Sequence, residues 1–327
     1  MLIVWTVFVT LQVNCQAIKS CWEIKPNLKI KRTFHASAVA NGKLFLISGA
    51  TGDKSEFRDI TSVEMYDPVK NEWSTKAEIP QAVSLACALT VGNKIFVAGG
   101  ELDSFKKKSK LLMMYDCFSN KWSLKSSIKI ARSFHYSVAL NNKIYVIGGR
   151  ESNKEIKTKQ KDSLAVYTIE EYDVIKYTWV VKTVMPFKHF AIGAAVLNNK
   201  IFILSDTTNN RMLGDSAVLE EYDPVKNTFI KKAELIPSQC DAAVVGYKNK
   251  IYVIGGWRKG TISSVNEYDV IKNKWTRKSD LPYPVQAHQA SIIDDKIFIS
   301  GGLTYTSSGN EKRNNFLVYF PESDKNK

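Results

Sequence analysis

Short apolar runs recur along the chain, each opened by a lysine and, in most cases, closed by a glycine pair. They read KLFLISGA from Lys43, KIFVAGG from Lys94, KIYVIGG from Lys143, KIFILSD from Lys200, KIYVIGG from Lys250 and KIFISGG from Lys296. Successive opening lysines are 51, 49, 57, 50 and 46 residues apart. Each of the first five runs is followed by a polar stretch, then a Tyr-Asp pair, then an aromatic residue. These pairs are Tyr66/Trp73, Tyr115/Trp122, Tyr172/Trp179, Tyr222/Phe229 and Tyr268/Trp275. A run such as Ile251-Tyr252-Val253-Ile254 is β-branched or aromatic and too short for a helix. It predicts a strand buried on both faces. Gly255-Gly256 ends that strand, because glycine accepts positive φ and close backbone approach. Tyr268-Asp269 closes a third strand. In Asp67-Pro68-Val69-Lys70-Asn71 the turn to a fourth strand is written with Asp at its start, Pro with φ preset, and Asn able to enter the left-handed region.

A period near fifty with a double glycine and a Tyr…Trp pair resembles the kelch β-propeller family, over roughly residues 21–320. The wording YDPVKNEW and YDVIKNKW is similar to animal Kelch-like proteins. The resemblance implies an all-β, six-bladed propeller with four strands per blade. Each tryptophan is expected to pack on the outer strand against the next blade. The sixth unit has Gly301-Gly302 and a third strand at 316–320 but no following tryptophan. The chain begins with the missing piece, Cys21-Trp22-Glu23-Ile24, so an N-terminal strand is expected to complete the sixth blade. Blade 4 departs from the pattern, with Ser205-Asp206 in place of the double glycine.

Residues 1–17 are uncharged and apolar and end in Cys15-Gln16-Ala17, which fits a signal-peptidase site. The run is too short for a spanning helix. The expected organisation is a signal peptide at 1–17, one propeller at 18–320 and a disordered tail at 321–327, in a secreted protein. Cysteine usage points instead to a cytoplasmic scaffold. Cys21, Cys87, Cys117 and Cys240 show no zinc spacing, and no Asn-x-Ser/Thr sequon is present. The formal net charge is +14, but only eight of the 46 basic residues are arginine. Lysine scattered over every blade argues against a nucleic-acid groove. The longest basic loop, from Arg150 to Val166, carries Lys154, Lys157, Lys159 and Lys161.

His35, His135 and His288 share one repeat position, eight residues before the opening lysine, and shared packing accounts for them without a metal. No segment resembles a galactose-oxidase copper site, an Asp-box or a Ser/His/Asp arrangement. No catalytic residue, metal or cofactor is expected. In Kelch-like proteins partners sit on the face built by residues after the double glycine and by the turn before each first strand. Carried onto this chain, the resemblance implies Glu101, Arg150, Trp257, Arg258 and Leu303 from the first set. From the second it implies Arg32, Phe34, Arg132, Phe134 and Lys188. Arginine would give bidentate carboxylate recognition, and Trp and Phe rigid apolar area, for an acidic peptide with an apolar anchor. The alternative for Arg32 and Arg132 is that they brace turns. The reading is a monomeric, non-catalytic protein-binding propeller, a secreted effector whose partners resemble ubiquitin-ligase substrates. An actin-binding module and a mutarotase-like carbohydrate enzyme using Glu101 and the histidines are the alternatives.

Overall fold

The computed structural model describes residues 21–52, 56–151, 165–186, 191–206, 215–307 and 309–324. The expected leader 1–17 lies outside them. Six four-stranded antiparallel sheets follow one another. In blade 1 the strands run Ala36–Ala40, Lys43–Ile47, Val63–Asp67 and Glu72–Lys76, from the axis outward. Blades 2 to 5 begin at Cys87, Tyr136, Ala191 and Ala243. Blade 6 takes Gln289–Ile293, Lys296–Ser300 and Phe316–Tyr319 from the C-terminal end, and its outer strand is Trp22–Ile24. First strands of neighbouring blades touch around the full circle, blade 6 against blade 1 included. Among the described residues no helix is long and apolar enough to cross a membrane.

The join copies the other blades. Trp22 stands opposite Tyr319 in register, with ring centroids 4.6 Å apart. Tyr66/Trp73, Tyr115/Trp122 and Tyr268/Trp275 lie at 5.1 Å. In four blades the tyrosine hydroxyl donates to an Asn five residues on: Asn71, Asn120, Asn227 and Asn273, each at positive φ. Tyr319 donates at the same five-residue spacing to Asp324, at 2.5 Å. Asp324 also accepts from Ser279 N–H at 2.9 Å and Ser279 Oγ at 3.0 Å. Residues 321–324 are thus fixed through Asp324, with a short 3-10 turn at Pro321–Ser323. The buried tyrosine hydroxyl needs a partner, and the tail supplies it.

The tryptophans bind backward, not forward. Nε1 of Trp73, Trp122, Trp179 and Trp275 donates to the carbonyls of Pro26, Ala77, Ser126 and Ala233, at 2.7–2.9 Å. Each acceptor lies just beyond the outer strand of the preceding blade, so the expectation of packing on the next blade is reversed. Blade 4 also shows what the glycine pair does. Without it the second strand continues through Ser205 and Asp206, and its two neighbours lengthen to Ala191–Leu197 and Ala217–Asp223.

The three histidines explain part of the glycine requirement. A Cβ on Gly301, Gly99 or Gly255 would lie 2.9, 2.6 or 2.8 Å from Cε1 of His35, His135 or His288. Each imidazole is thus wedged against the first glycine of the preceding blade. All three are buried, and burial holds them below the usual histidine range, His135 and His288 at about 3.

A second repeated device braces blades 1, 2, 3, 5 and 6 from within. Arg32 donates to the Ser48 and Ser62 carbonyls at 3.1 and 3.3 Å and to Glu64 Oε2 at 2.7 Å. Arg132 donates to the Gly148 and Thr168 carbonyls at 2.9 and 3.3 Å and pairs with Glu170. In blade 5 the pair is neutral. Gln239 Nε2 donates to the Gly255 carbonyl, and its Oε1 accepts from Ser264 Oγ and Asn266 Nδ2, all at 2.9 Å. In blades 2 and 6 it is apolar, Val83 with Met113 and Val285 with Leu317, each pair buried in one cluster. A buried ion pair and a packed apolar pair can serve equally well, whereas half a pair cannot.

Two outcomes test this packing. Arg132→Val alone should cost about 3–5 kcal/mol of unfolding free energy in urea, because Glu170 is left buried and charged. Adding Glu170→Met, the solution already used in blade 2, should recover most of it; no recovery would refute the equivalence. The histidines set a pH response. Unfolded, they protonate near pH 6.5, whereas folded they stay neutral well below it. Stability is therefore lost as pH falls from about 6.5, by up to about 1.4 kcal/mol per pH unit for each histidine. Thermal melts across that range should show the loss, with a shallower slope in His135→Gln.

Candidate partner-binding face

At one end of blades 1, 2, 3, 5 and 6 the residue after the glycine-closed second strand meets the turn before the first strand. Single bridges join Thr33 to Ala50, Ser84 to Glu101, Ser133 to Arg150, Cys240 to Trp257 and Gln286 to Leu303. The two sets of residues singled out from the sequence therefore adjoin. At the centre of this face these five blades each place one residue in the left-handed region: Phe34, Leu85, Phe134, Asp241 and Ala287 have φ between 52° and 54°. The conformation lets neighbouring blades bond to each other. Phe34 N–H donates to the Ala287 carbonyl at 3.1 Å, Leu85 N–H to Phe34 at 2.9 Å and Ala287 N–H to Asp241 at 2.9 Å. The belt rims an axial cavity of about 200 Å³. Its side chains are apolar over blades 1 to 3 and include Asp241 at blade 5.

Several expected contact residues do not face a partner. Arg32 and Arg132 are wholly buried as the braces described above, so the turn-bracing alternative is the correct one. Glu101 is buried, accepting from Ser133 Oγ at 2.7 Å and pairing with Lys108. Leu303 is buried as well, because its strand pairs with 309–312. Trp257 is half-buried and packs on the cluster of Leu235, Cys240 and Ile251, which gives it a structural duty. Arg258 is half-exposed, 3.9 Å from Asp215. Lys188 lies outside the described residues. Phe34, Phe134 and Arg150 remain half-exposed on the face.

Around those three the structure gathers an aromatic and cationic cluster that the sequence did not reveal. Phe34, Phe57 and Phe105, from three separate segments, form a mutually tilted or edge-on triad with centroids 5.4–6.0 Å apart. Lys312 Nζ sits 4.0 Å from the Phe57 centroid. Beside the triad, the Arg150 guanidinium and the Lys108 ammonium lie 5.7 and 5.8 Å from the Phe134 ring. Phe105 is delivered by a strained loop. Asp103, Ser104 and Phe105 are consecutive non-glycine residues at φ 55°, 53° and 72°. Ser104 N–H donates to Asp59 Oδ2 at 2.8 Å, and Lys106 N–H to the Leu102 carbonyl at 3.1 Å, which hold the loop in place. Arg58, Lys106 and Lys107 are exposed around the triad, with Glu56 and Asp103 as the exposed acids beside them. The signal available in sequence was slight: single phenylalanines inside otherwise polar, lysine-rich loops.

The histidines are buried against glycine and are not presented to a ligand, and among the described residues no group of three or more His, Cys, Asp or Glu is placed to hold a metal ion.

Residues 85–302 match the KLHDC2/KLHL20/DRC7 Kelch-repeats domain, and residues 31–79 match the Kelch motif. Human Kelch-like protein 15 is 23% identical over 312 residues, which covers 88% of this chain and 41% of that protein. Kelch-like protein 25 of Xenopus tropicalis is 30% identical over 141 residues, 41% of this chain and 24% of the relative. Kelch-like protein 36 of Mus musculus is 30% identical over 149 residues, 45% and 24% of the two chains. The chain thus spans less than half the length of these relatives. With its repeats matched over two-thirds of its length and its ring of six blades closed, the chain belongs to the Kelch-repeat β-propeller family.

Proposed function

We propose that this propeller is a non-catalytic binding module that takes an acidic segment of a partner protein on the face over blades 1 to 3. The observation that carries the reading is the Phe34/Phe57/Phe105 triad on its strained loop. Holding non-glycine residues left-handed costs of order 1 kcal/mol each, and such strain collects where a side chain must be presented rather than packed. The triad offers rigid apolar area of the kind that anchors interfaces. Arg58, Lys106, Lys107 and Arg150 surround it with cations, and Arg150 can meet a carboxylate in bidentate fashion. The partner class is therefore a segment with carboxylates flanking an apolar or aromatic side chain. Ubiquitin-ligase substrates, expected from the Kelch-like resemblance, are one source of such segments.

Panning a random peptide library on the intact protein tests this. Enriched peptides should carry acids beside an aromatic or large aliphatic residue. Their affinity should fall about tenfold or more in Phe57→Ser with Phe105→Ser, and should be little changed in Trp257→Ala. Ligands without acids, or affinity indifferent to the two phenylalanines, would overturn the assignment.

A further inference from the structure

The opposite face of the ring carries an unexplained regularity. The turns between third and fourth strands are built alike in blades 1 to 5. The carboxylate of Asp67, Asp116, Asp173, Asp223 or Asp269 accepts the two N–H groups that follow at spacings of two and three residues, all at 2.9–3.3 Å. This Asx geometry fixes the direction of each turn. At the same position of each turn, the residue thrust outward is apolar: Val69, Phe118, Ile175, Val225 and Ile271. They are 70–92% exposed. Turn tips are ordinarily polar, and a soluble surface seldom repeats large apolar side chains in register. Blade 6 lacks the turn because its outer strand comes from the other end of the chain.

We infer that this ring of five turn tips docks the propeller flat on an anionic lipid surface. Tips at one repeat position of a ring lie in one plane, and a planar, fluid surface can meet all of them without shaped pockets. Exposed lysines directly follow four of the tips, Lys70, Lys176, Lys226 and Lys272, with Lys121, Lys248 and Lys274 close by. The exposed acids of this face are Glu72, Asp294, Asp295 and Glu322, the last tied to Lys248. The turn aspartates lie behind the tips, committed to backbone N–H groups. The outermost layer is thus apolar and net cationic, the combination that binds the interface of anionic bilayers. The described chain also begins on this side. The Cys21 carbonyl accepts from Phe320 N–H where other blades place the turn. Lipid docking here leaves the partner-binding face turned away from the surface.

Vesicle flotation of the full chain tests the inference. The probes are phosphatidylcholine vesicles with and without about one-fifth phosphatidylserine. The wild type should float with the anionic vesicles and only weakly with the neutral ones. Phe118→Ser with Ile175→Ser and Ile271→Ser keeps every charge and the sequence 1–17, so general attraction of a basic protein is unchanged in it. Partition should nevertheless fall about tenfold, with the thermal midpoint and the binding of panned peptides unaltered. No flotation, equal flotation with neutral vesicles, or an unaffected triple variant would overturn the inference. So would a concentration-dependent dimer in sedimentation velocity that the triple variant loses, which would assign the face to a second copy.

Discussion

Everything in this molecule depends on closing a circle of sheets with a strand from the wrong end of the chain. Blade 6 owns three strands, and Trp22–Ile24 supplies the fourth by pairing with Phe316–Tyr319. The Trp22–Tyr319 contact is the same aromatic pair that the other blades make internally. Asp324 takes the part that Asn71 or Asn273 plays elsewhere, at the same five-residue distance from its tyrosine. An unclosed ring would leave the third strand of blade 6 as an open edge. It would also strip Trp73 of the Pro26 carbonyl to which its indole donates. Closure brings Phe34 against Ala287, completes the left-handed belt, and so sets the mouth on which Phe57 and Phe105 assemble.

Within that circle the blades solve one packing problem with different chemistry. The position before the bridging residue is Arg in blades 1 and 3, Gln in blade 5 and Val in blades 2 and 6. Its partner on the third strand changes with it, to Glu, Asn, Met or Leu. Blade 4 is the exception that shows the cost. Glu220 stands where Glu64 and Glu170 stand, yet its Oε1 has no partner among the described residues, and burial raises its carboxyl to about 7. The repeat keeps the pair complementary rather than keeping either residue.

The six units, their strands and the closing strand were legible because glycine pairs, Tyr-Asp pairs and tryptophans mark fixed points in each blade. The candidate face was legible only as a neighbourhood. Arg32 and Arg132 look like contact residues because they sit in the turn before the first strand. Two positions separate a side chain that rises from the face, Phe34 or Phe134, from one that dives beneath it, Arg32 or Arg132. The distinguishing sign is a companion glutamate on the third strand, 32 or 38 residues on, absent where the arginine is replaced by valine. Glu101 and Leu303 were misjudged for a related reason: both follow a glycine pair, but their loops fold back as two-stranded ribbons and cover them. Phe57 and Phe105 occupy no repeat position, so nothing in the period could place them together. Val69, Phe118, Ile175, Val225 and Ile271 do occupy one, and periodicity alone could have shown them as a ring.

Residues 22–24 should form the sixth blade's outer strand in solution. Amide hydrogen exchange read at the 22–24 and 316–319 segments tests it most directly. Exchange there should be slow, matching the equivalent pairs 121–125 and 112–116 in blade 2, because the ladder is part of one closed ring. Exchange at 22–24 near the rate of an unstructured peptide, with blade 2 still protected, would mean that the ring is open.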